Sequence, residues 1–140
     1  MGLETLDHVN IRTADATTLA DWYSRVLGLE NGPRPDFPFP GAWLYAGPRA
    51  VVHLIGVAKA PGSDPADLKL EHFAFSATGL SAFRARLDAA GVAHDLVALT
   101  GARAAGVVDL VQVNVRDPDG NHIHIDFPAE EARALGLIAE

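Results

Sequence analysis

Residues 6–11 read LDHVNI and residues 70–75 read LEHFAF. Each stretch places an acidic residue and then a histidine in an apolar run that is typical of a β-strand. Each is followed by a segment in which apolar residues have helical spacing, and then by further strand-like segments. The same order of elements in both halves indicates an internal repeat. The sequence therefore predicts one structural unit, a strand, a helix and two or three strands, that occurs twice.

The predicted helices follow the two opening strands. The first lies in residues 14–29, where Asp15 marks the start and Gly28 the end. Its apolar residues recur at helical spacing: Leu19, Trp22, Tyr23, Val26 and Leu27. The second helix lies in residues 78–92, and a C-terminal helix is predicted over residues 129–139.

The later strands are bounded by turn residues, Gly-Pro in the first half and Asp-Pro-Asp-Gly before the last strand of the second. The strand-like segments are residues 42–46, 50–56, 92–99, 107–115 and 121–127. Residues 58–67 are polar and rich in Pro and Gly, which predicts a linker between the halves. Because neither half alone is expected to bury enough apolar surface, we expect the two halves to share one core.

The composition excludes several classes of protein. A hydrophobic content of 49% argues against disorder, and a net charge of −7 without a run of Lys or Arg argues against a nucleic-acid partner. No apolar stretch is long enough to span a bilayer, and the first residues lack the features of a signal peptide. We therefore expect a cytoplasmic protein with no membrane partner. Because cysteine is absent, a metal site would have to use imidazole, carboxylate or amide ligands.

Four of the six histidines fall at matched positions of the repeat. His8 and His72 lie on the first strand of their halves, and His53 and His124 lie on the last. A two-fold-related packing of the halves would bring these four positions to one interface. We therefore predict that these histidines bind a metal ion, with imidazole nitrogens as ligands.

The stretch NHIHIDF, residues 121–127, alternates polar and apolar residues. In a strand, His122, His124 and Asp126 project from one face, which we interpret as the wall of the metal site. Asp126 either orients a ligand histidine or is a solvated residue at the strand end. His94 and His122 have no partner in the repeat, and we interpret both as structural or exposed.

The sequence resembles the vicinal oxygen chelate superfamily, which groups glyoxalase I, bleomycin and fosfomycin resistance proteins, methylmalonyl-CoA epimerase and extradiol dioxygenases. The resemblance rests on LDHVNIRTADATTLADWYSRVLGL (6–29) and VNVRDPDGNHIHIDF (113–127). In the first, a strand histidine precedes a helix that ends in Tyr-x-x-x-Leu-Gly. In the second, Asp-Pro-Asp-Gly-Asn precedes an alternating strand. These motifs identify the superfamily and do not separate its activities.

The resemblance implies an α+β fold in which two βαβββ modules form a curved half-open barrel with a metal site inside. On this basis we expect a single domain over residues 1–140. Its parts are a first module at 1–57, a linker at 58–68, a second module at 69–127 and a C-terminal helix at 128–140.

The same resemblance places the metal ligands at His8, His53, His72 and His124. The sequence departs from the family at the last position, which is usually Glu in an Asn-x-Ile-Glu pattern and here is His124. Four neutral ligands leave the charge of a divalent ion, of Fe, Zn, Ni, Mn or Co, uncompensated, which favours a substrate that chelates through two oxygens. Two open positions favour lyase or isomerase chemistry, in which His124 replaces the usual Glu as the base.

Three alternatives remain open from the sequence. If one histidine, His53 in our interpretation, leaves the metal, a three-histidine iron site allows ring-cleaving dioxygenase chemistry. The chain could instead be a metal-free ligand-binding protein of the bleomycin-resistance kind, or a catalytically silent relative that binds metal adventitiously. Histidines at all four ligand positions favour a metalloenzyme over a metal-free binder.

The remaining candidate residues would shape a substrate pocket. Gln112 and Asn114 alternate with valines and are expected to face the interior. Phe39 and Trp43 lie in an aromatic and proline-rich stretch that could line a wall for an aromatic ligand. Arg12 follows His8 on the same strand face and could meet a substrate carboxylate, or it is simply exposed. We expect a small-molecule substrate and a homodimer, because curved half-barrels leave sheet edges that small proteins usually cover.

Overall fold

The computed structural model describes residues 2–103 and 106–140. The chain divides into two compact units, Met1–Asp64 and Pro65–Glu140. In the first unit the elements are β1 (Val9–Thr13), α1 (Ala16–Leu27), β2 (Glu30–Gly32), β3 (Gly41–Ala46) and β4 (Arg49–Gly56). In the second they are β5 (Phe73–Ser76), α2 (Leu80–Ala89), β6 (Asp95–Arg103), β7 (Gly106–Arg116), β8 (His122–Pro128) and α3 (Ala129–Ala134).

Each unit contains one four-stranded sheet, and the two sheets have the same topology. The strand orders are β1-β4-β3-β2 and β5-β8-β7-β6. In both sheets the first strand is parallel to the last, β1 to β4 and β5 to β8, and the other pairs are antiparallel. The helix and the intervening strands supply the long crossover that a parallel pair needs. The predicted α+β class and the two βαβββ modules are confirmed.

The helices close one face of each sheet. On α1, Leu19, Tyr23 and Val26 are buried, as are Leu44 of β3 and Val52 of β4. Asp15 caps the start of α1 by accepting a hydrogen bond from the Thr18 amide at 3.0 Å, and Gly28 ends it with φ of 75°. In the second unit the buried residues of the sheet are Val111, Val113, Val115, Ile123, Ile125 and Phe127. Because neighbours along a strand alternate, the opposite face of each sheet carries the polar side chains.

Several boundaries differ from the sequence prediction. β2 was not predicted, and His8 and His72 lie directly before β1 and β5 rather than inside them. The C-terminal helix ends at Ala134, because Gly136 adopts φ of 69° and the Leu137 amide donates to the carbonyl of Ala132. Within the described residues, no helix is both long and apolar enough to cross a membrane.

Candidate metal centre

The polar face of the first unit carries a stack of three rings. His53 on β4 pairs with Trp43 on β3 and with Asn10 on β1. The His53 ring stacks on the Trp43 ring with centroids 4.1 Å apart, and on its other neighbour, His8, at 3.8 Å. The repeat-matched pair predicted for this half, His8 and His53, is therefore in direct contact.

The hydrogen bonds of His8 and His53 use one ring nitrogen of each residue and leave the other nitrogen available to a metal ion. Nδ1 of His8 contacts the Asp7 carboxylate at 2.7 Å, and Nε2 of His53 donates to the carbonyl of Ala50 at 3.1 Å. Burial lowers the pKa of His53, and the charge of His8 lowers it further. His53 is thus kept neutral, which is the form that binds a metal.

The polar face of the second unit carries three histidines. His72 stacks on His124 with centroids 4.0 Å apart, and His122 meets both rings edge-on, at 5.6 Å from His72 and 4.7 Å from His124. One nitrogen of each residue lies within 4.8 Å of the others. Among the described residues, this is a group that could hold a metal ion.

Two side chains support the second cluster from its edge. Glu71 contacts Nδ1 of His72 with one oxygen and Nδ1 of His122 with the other, the latter at 3.2 Å. Nε2 of His122 lies 3.0 Å from Oδ1 of Asn114. Hydrogen bonds from both histidines lower the pKa of Glu71, so the carboxylate is held in its charged form. A ligand histidine with its second nitrogen on a carboxylate is a common arrangement at metal sites.

The deepest part of the cluster has unsatisfied polar atoms. Nδ1 of His124 and Oδ1 of Asp126 are buried and have no hydrogen-bond partner among the described residues. Burial lowers the pKa of His124, and burial raises the pKa of Asp126. Such groups are costly to bury unless something binds them. The donor set, neutral imidazoles with carboxylates beside them, fits a divalent transition metal.

The predicted pocket residues are distributed over both units. Trp43 is in the His53 stack, and Arg12 is exposed on the strand that follows His8. Gln112 pairs with Asp126, and Asn114 pairs with His124, so both lie on the sheet face that carries the second cluster. Phe39 lies in the segment before β3, where its ring stacks on Phe37 and lies 5.5 Å from the guanidinium carbon of Arg34.

Two residues of the second cluster were not in the predicted ligand set. The repeat gives His122 no partner, yet the alternation of NHIHIDF places it on the face of His124. In the sequence, Glu71 is an acidic residue of the strand motif without a predicted role. Its signal is its position directly before a candidate ligand, which Asp7 shares with respect to His8.

His94 lies outside the described clusters. Its Nδ1 donates to the carbonyl of Val92 at 2.9 Å, and its Nε2 lies 3.7 Å from Asp88. These local contacts agree with the structural role expected for it.

Comparison with known proteins identifies the family. The family model of the glyoxalase/bleomycin resistance protein/dioxygenase superfamily matches residues 5–125. No curated protein matches the sequence significantly.

Similar solved structures have low sequence identity and support the fold. A glyoxylase/bleomycin resistance protein/dioxygenase domain from Frankia sp. EAN1pec has a TM-score of 0.69 at 19% identity, over 91% of this chain and 93% of that one. TnmS3, an antibiotic-binding protein from Streptomyces sp. CB03234, has a TM-score of 0.61 at 19% identity, over 91% and 98%. Lactoylglutathione lyase from Agrobacterium tumefaciens has a TM-score of 0.57 at 16% identity, over 90% and 95%. With the repeated βαβββ topology and the match over most of its length, the chain belongs to the glyoxalase/bleomycin resistance protein/dioxygenase superfamily.

Proposed function

We propose that this protein is a metal-dependent enzyme that acts on a small substrate chelating the metal through two adjacent oxygens, with lyase or isomerase chemistry. The observation that carries the proposal is the repetition of a carboxylate–histidine pair. Asp7 contacts Nδ1 of His8, and Glu71 contacts Nδ1 of His72 in the same way. In each pair the carboxylate holds Nδ1 of the histidine, so that Nε2 is the nitrogen that could bind a metal.

The proposed ligands are His8, His53, His72 and His124. A bound divalent ion would supply Lewis acidity toward the two substrate oxygens. Burial keeps the imidazoles of His53 and His124 neutral, as ligation requires. We propose His124 for the proton-transfer step, in place of the usual Glu of the family. It would accept the proton only while its ring is off the metal, because an imidazole that ligates through one nitrogen carries a proton on the other. Asp126, on the same strand face, is proposed to orient it.

The first unit supports a planar, anionic substrate. A cavity of about 560 Å³ is lined by Trp43, Tyr45, Arg49 and both histidines of this unit, among others. This volume suits a small molecule. Trp43 offers an aromatic face, and Arg49 places a guanidinium in the lining of the same cavity. An aromatic or enolic ring with a carboxylate would use both groups.

The test begins with protein purified without a histidine tag. Elemental analysis is expected to find a divalent transition metal. The metal-loaded chain is then assayed against 2-hydroxy ketones, hemithioacetals and catechols, and the expected result is turnover that a chelator abolishes and added metal restores. Metal binding without turnover of any of these substrates would contradict the enzymatic proposal and leave a silent metal-binding relative.

A metal-free ligand-binding protein is the second candidate. The stack of Trp43, His53 and His8 favours it, because flat rings in contact at 3.8 and 4.1 Å form a wall for an aromatic ligand without any metal. The fold similarity to the antibiotic-binding TnmS3 is compatible with this use. Tight binding of an aromatic compound by chelator-treated protein, unchanged by added metal, would favour the binder over the enzyme.

Oxygen chemistry is the third candidate, and the cluster of three histidines in the second unit favours it. A ring-cleaving dioxygenase needs three protein ligands so that substrate and dioxygen can share the iron. Oxygen consumption by the Fe(II)-loaded chain with a catechol would distinguish it from lyase or isomerase chemistry.

We also propose a homodimer. The apolar side chains of Val97 and Leu99 on β6 are 42% and 38% exposed, and β6 is the edge strand of its sheet. An edge strand with exposed apolar residues is prone to pair with another chain. Light scattering at micromolar concentration is expected to give twice the chain mass of 14.8 kDa, and a strictly monomeric mass would contradict the proposal.

A further inference from the structure

The histidine cluster of the second unit contains one more imidazole than the proposed ligand set uses. We propose that His122 joins His72 and His124 as a metal ligand, so that the metal affinity of the chain depends more on this three-histidine cluster than on His53. The inference deepens the proposed function and rests on its premise that the protein binds a divalent metal. It differs in giving His122 the role of a ligand.

The backbone brings the three rings together. β5 runs parallel to β8 with Phe73 paired to Ile123, so the preceding residues, His72 and His122, are neighbours across the two strands. His124 follows two positions along β8 and projects from the same face as His122. One nitrogen from each ring lies within 4.8 Å of the others, which is close enough for the three residues to hold one ion.

A single carboxylate anchors two of the rings. Glu71 contacts Nδ1 of His72 and Nδ1 of His122, whereas Asp7, its counterpart in the first unit, contacts only His8. The second unit therefore holds two Nδ1 atoms on one acceptor and directs the two Nε2 atoms away from it. This arrangement fixes the ring orientation that a metal requires.

The contacts of His122 leave one nitrogen of a neutral ring without a matching partner. Asn114 donates through Nδ2 to Asp95 at 2.8 Å, so its Oδ1 faces Nε2 of His122. Both ring nitrogens of His122 thus face acceptor oxygens, of Glu71 on one side and of Asn114 on the other. A neutral imidazole has only one N–H to donate. A metal ion bound at one of these nitrogens in place of the facing oxygen would remove the conflict, as would a second proton on the ring.

The third ring provides independent support. His124 is only 8% exposed, and its Nδ1 is among the buried atoms that lack a hydrogen-bond partner in the described residues. Unpartnered buried polar atoms are uncommon in folded proteins and often mark the position of a ligand or ion.

The test uses the full chain without a tag and Co²⁺ as the probe, because its visible absorption reports nitrogen ligation. In His122→Ala we expect the Co²⁺ affinity to fall at least about 10-fold, more than in His53→Ala. His94→Ala is the matched control, since it removes a histidine of the same unit outside the cluster, and it should bind as the wild type does. His122→Gln, with circular dichroism on every variant, separates loss of a ligand from loss of folding.

The outcomes separate this inference from the proposed function. If His122→Ala and His122→Gln both bind Co²⁺ like the wild type while His53→Ala binds weakly, His122 is not a ligand, and the four matched histidines remain the ligand set. If the wild type binds no Co²⁺, both proposals fail. Should both His122 variants unfold, NMR of the ring nitrogens in the wild type decides the matter. A Zn²⁺-induced shift at His122 supports the inference, and an unshifted His122 beside a shifted His72 overturns it.

Discussion

The turn before β8 offers a prediction whose magnitude follows from the structure. Asp117 is only 4% exposed, and its carboxylate accepts from the amide of Asp119 at 3.0 Å, the amide of Asn121 at 2.9 Å and Nδ2 of Asn121 at 2.8 Å. These bonds fix the tight turn that delivers His122 to the second cluster. Each such bond contributes about 1 kcal/mol net, so Asp117→Ala should lower the free energy of unfolding by roughly 3 kcal/mol.

The matched control is Asp119→Ala, which changes an exposed aspartate of the same turn and should alter the unfolding free energy by less than about 0.5 kcal/mol. Urea unfolding followed by circular dichroism measures both variants. Because β8 carries His122 and His124, Asp117→Ala should also weaken Co²⁺ binding, whereas Asp119→Ala should not. Equal stability of the two variants would refute the reasoning, since the carboxylate of Asp117 would then contribute nothing to the turn.

Three further predictions concern the clusters. Glu71→Gln should lower the Co²⁺ affinity about 10- to 100-fold, and Asp7→Asn should lower it by less, because Glu71 contacts two histidine rings and Asp7 contacts one. Equal effects of the two substitutions in a Co²⁺ titration would contradict this prediction. Asp126→Asn should stabilise the metal-free chain by less than about 1 kcal/mol in urea unfolding, because it removes the charge from a half-buried carboxylate whose Oδ1 has no hydrogen-bond partner among the described residues. A loss of stability would contradict this prediction. Burial lowers the pKa of His53 and His124, so the unfolded chain binds more protons at acid pH. The contribution of these two histidines to the unfolding free energy should be complete above about pH 6.5 and should decline as the pH falls through their folded pKa. An unfolding free energy that rises on acidification from pH 7.5 to 5.5 would contradict this prediction.

The repeat allowed most of the fold to be predicted from the sequence. Strand alternation and helix end signals are local, so α1 with its Asp15 cap and Gly28 stop was found almost to the residue. β2 was missed because Glu30–Gly32 has no apolar alternation and forms a strand only through its pairing with β3. Pairing of that kind is set by tertiary structure and leaves no local pattern.

The candidate site was predictable in part for the same reason. Repeat matching selects His53 and His124, because equivalent modules place equivalent residues at equivalent positions. His122 has no counterpart, so its contacts with His72 follow from the parallel register of β5 and β8, which the sequence does not specify. Glu71 illustrates the same limit, since its contact with His122 joins residues that are distant along the chain.

Metal content is the measurement that tests the central claim most directly. Untagged wild-type protein is loaded with Co²⁺, passed through a desalting column and analysed for metal and protein. The double variant His8→Ala, His72→Ala is treated in the same way, and His94→Ala serves as the control. We expect about one ion per chain in the wild type and the control, and little in the double variant. Equal metal content in the wild type and the double variant, or none in either, would contradict the claim that these histidines form a metal centre.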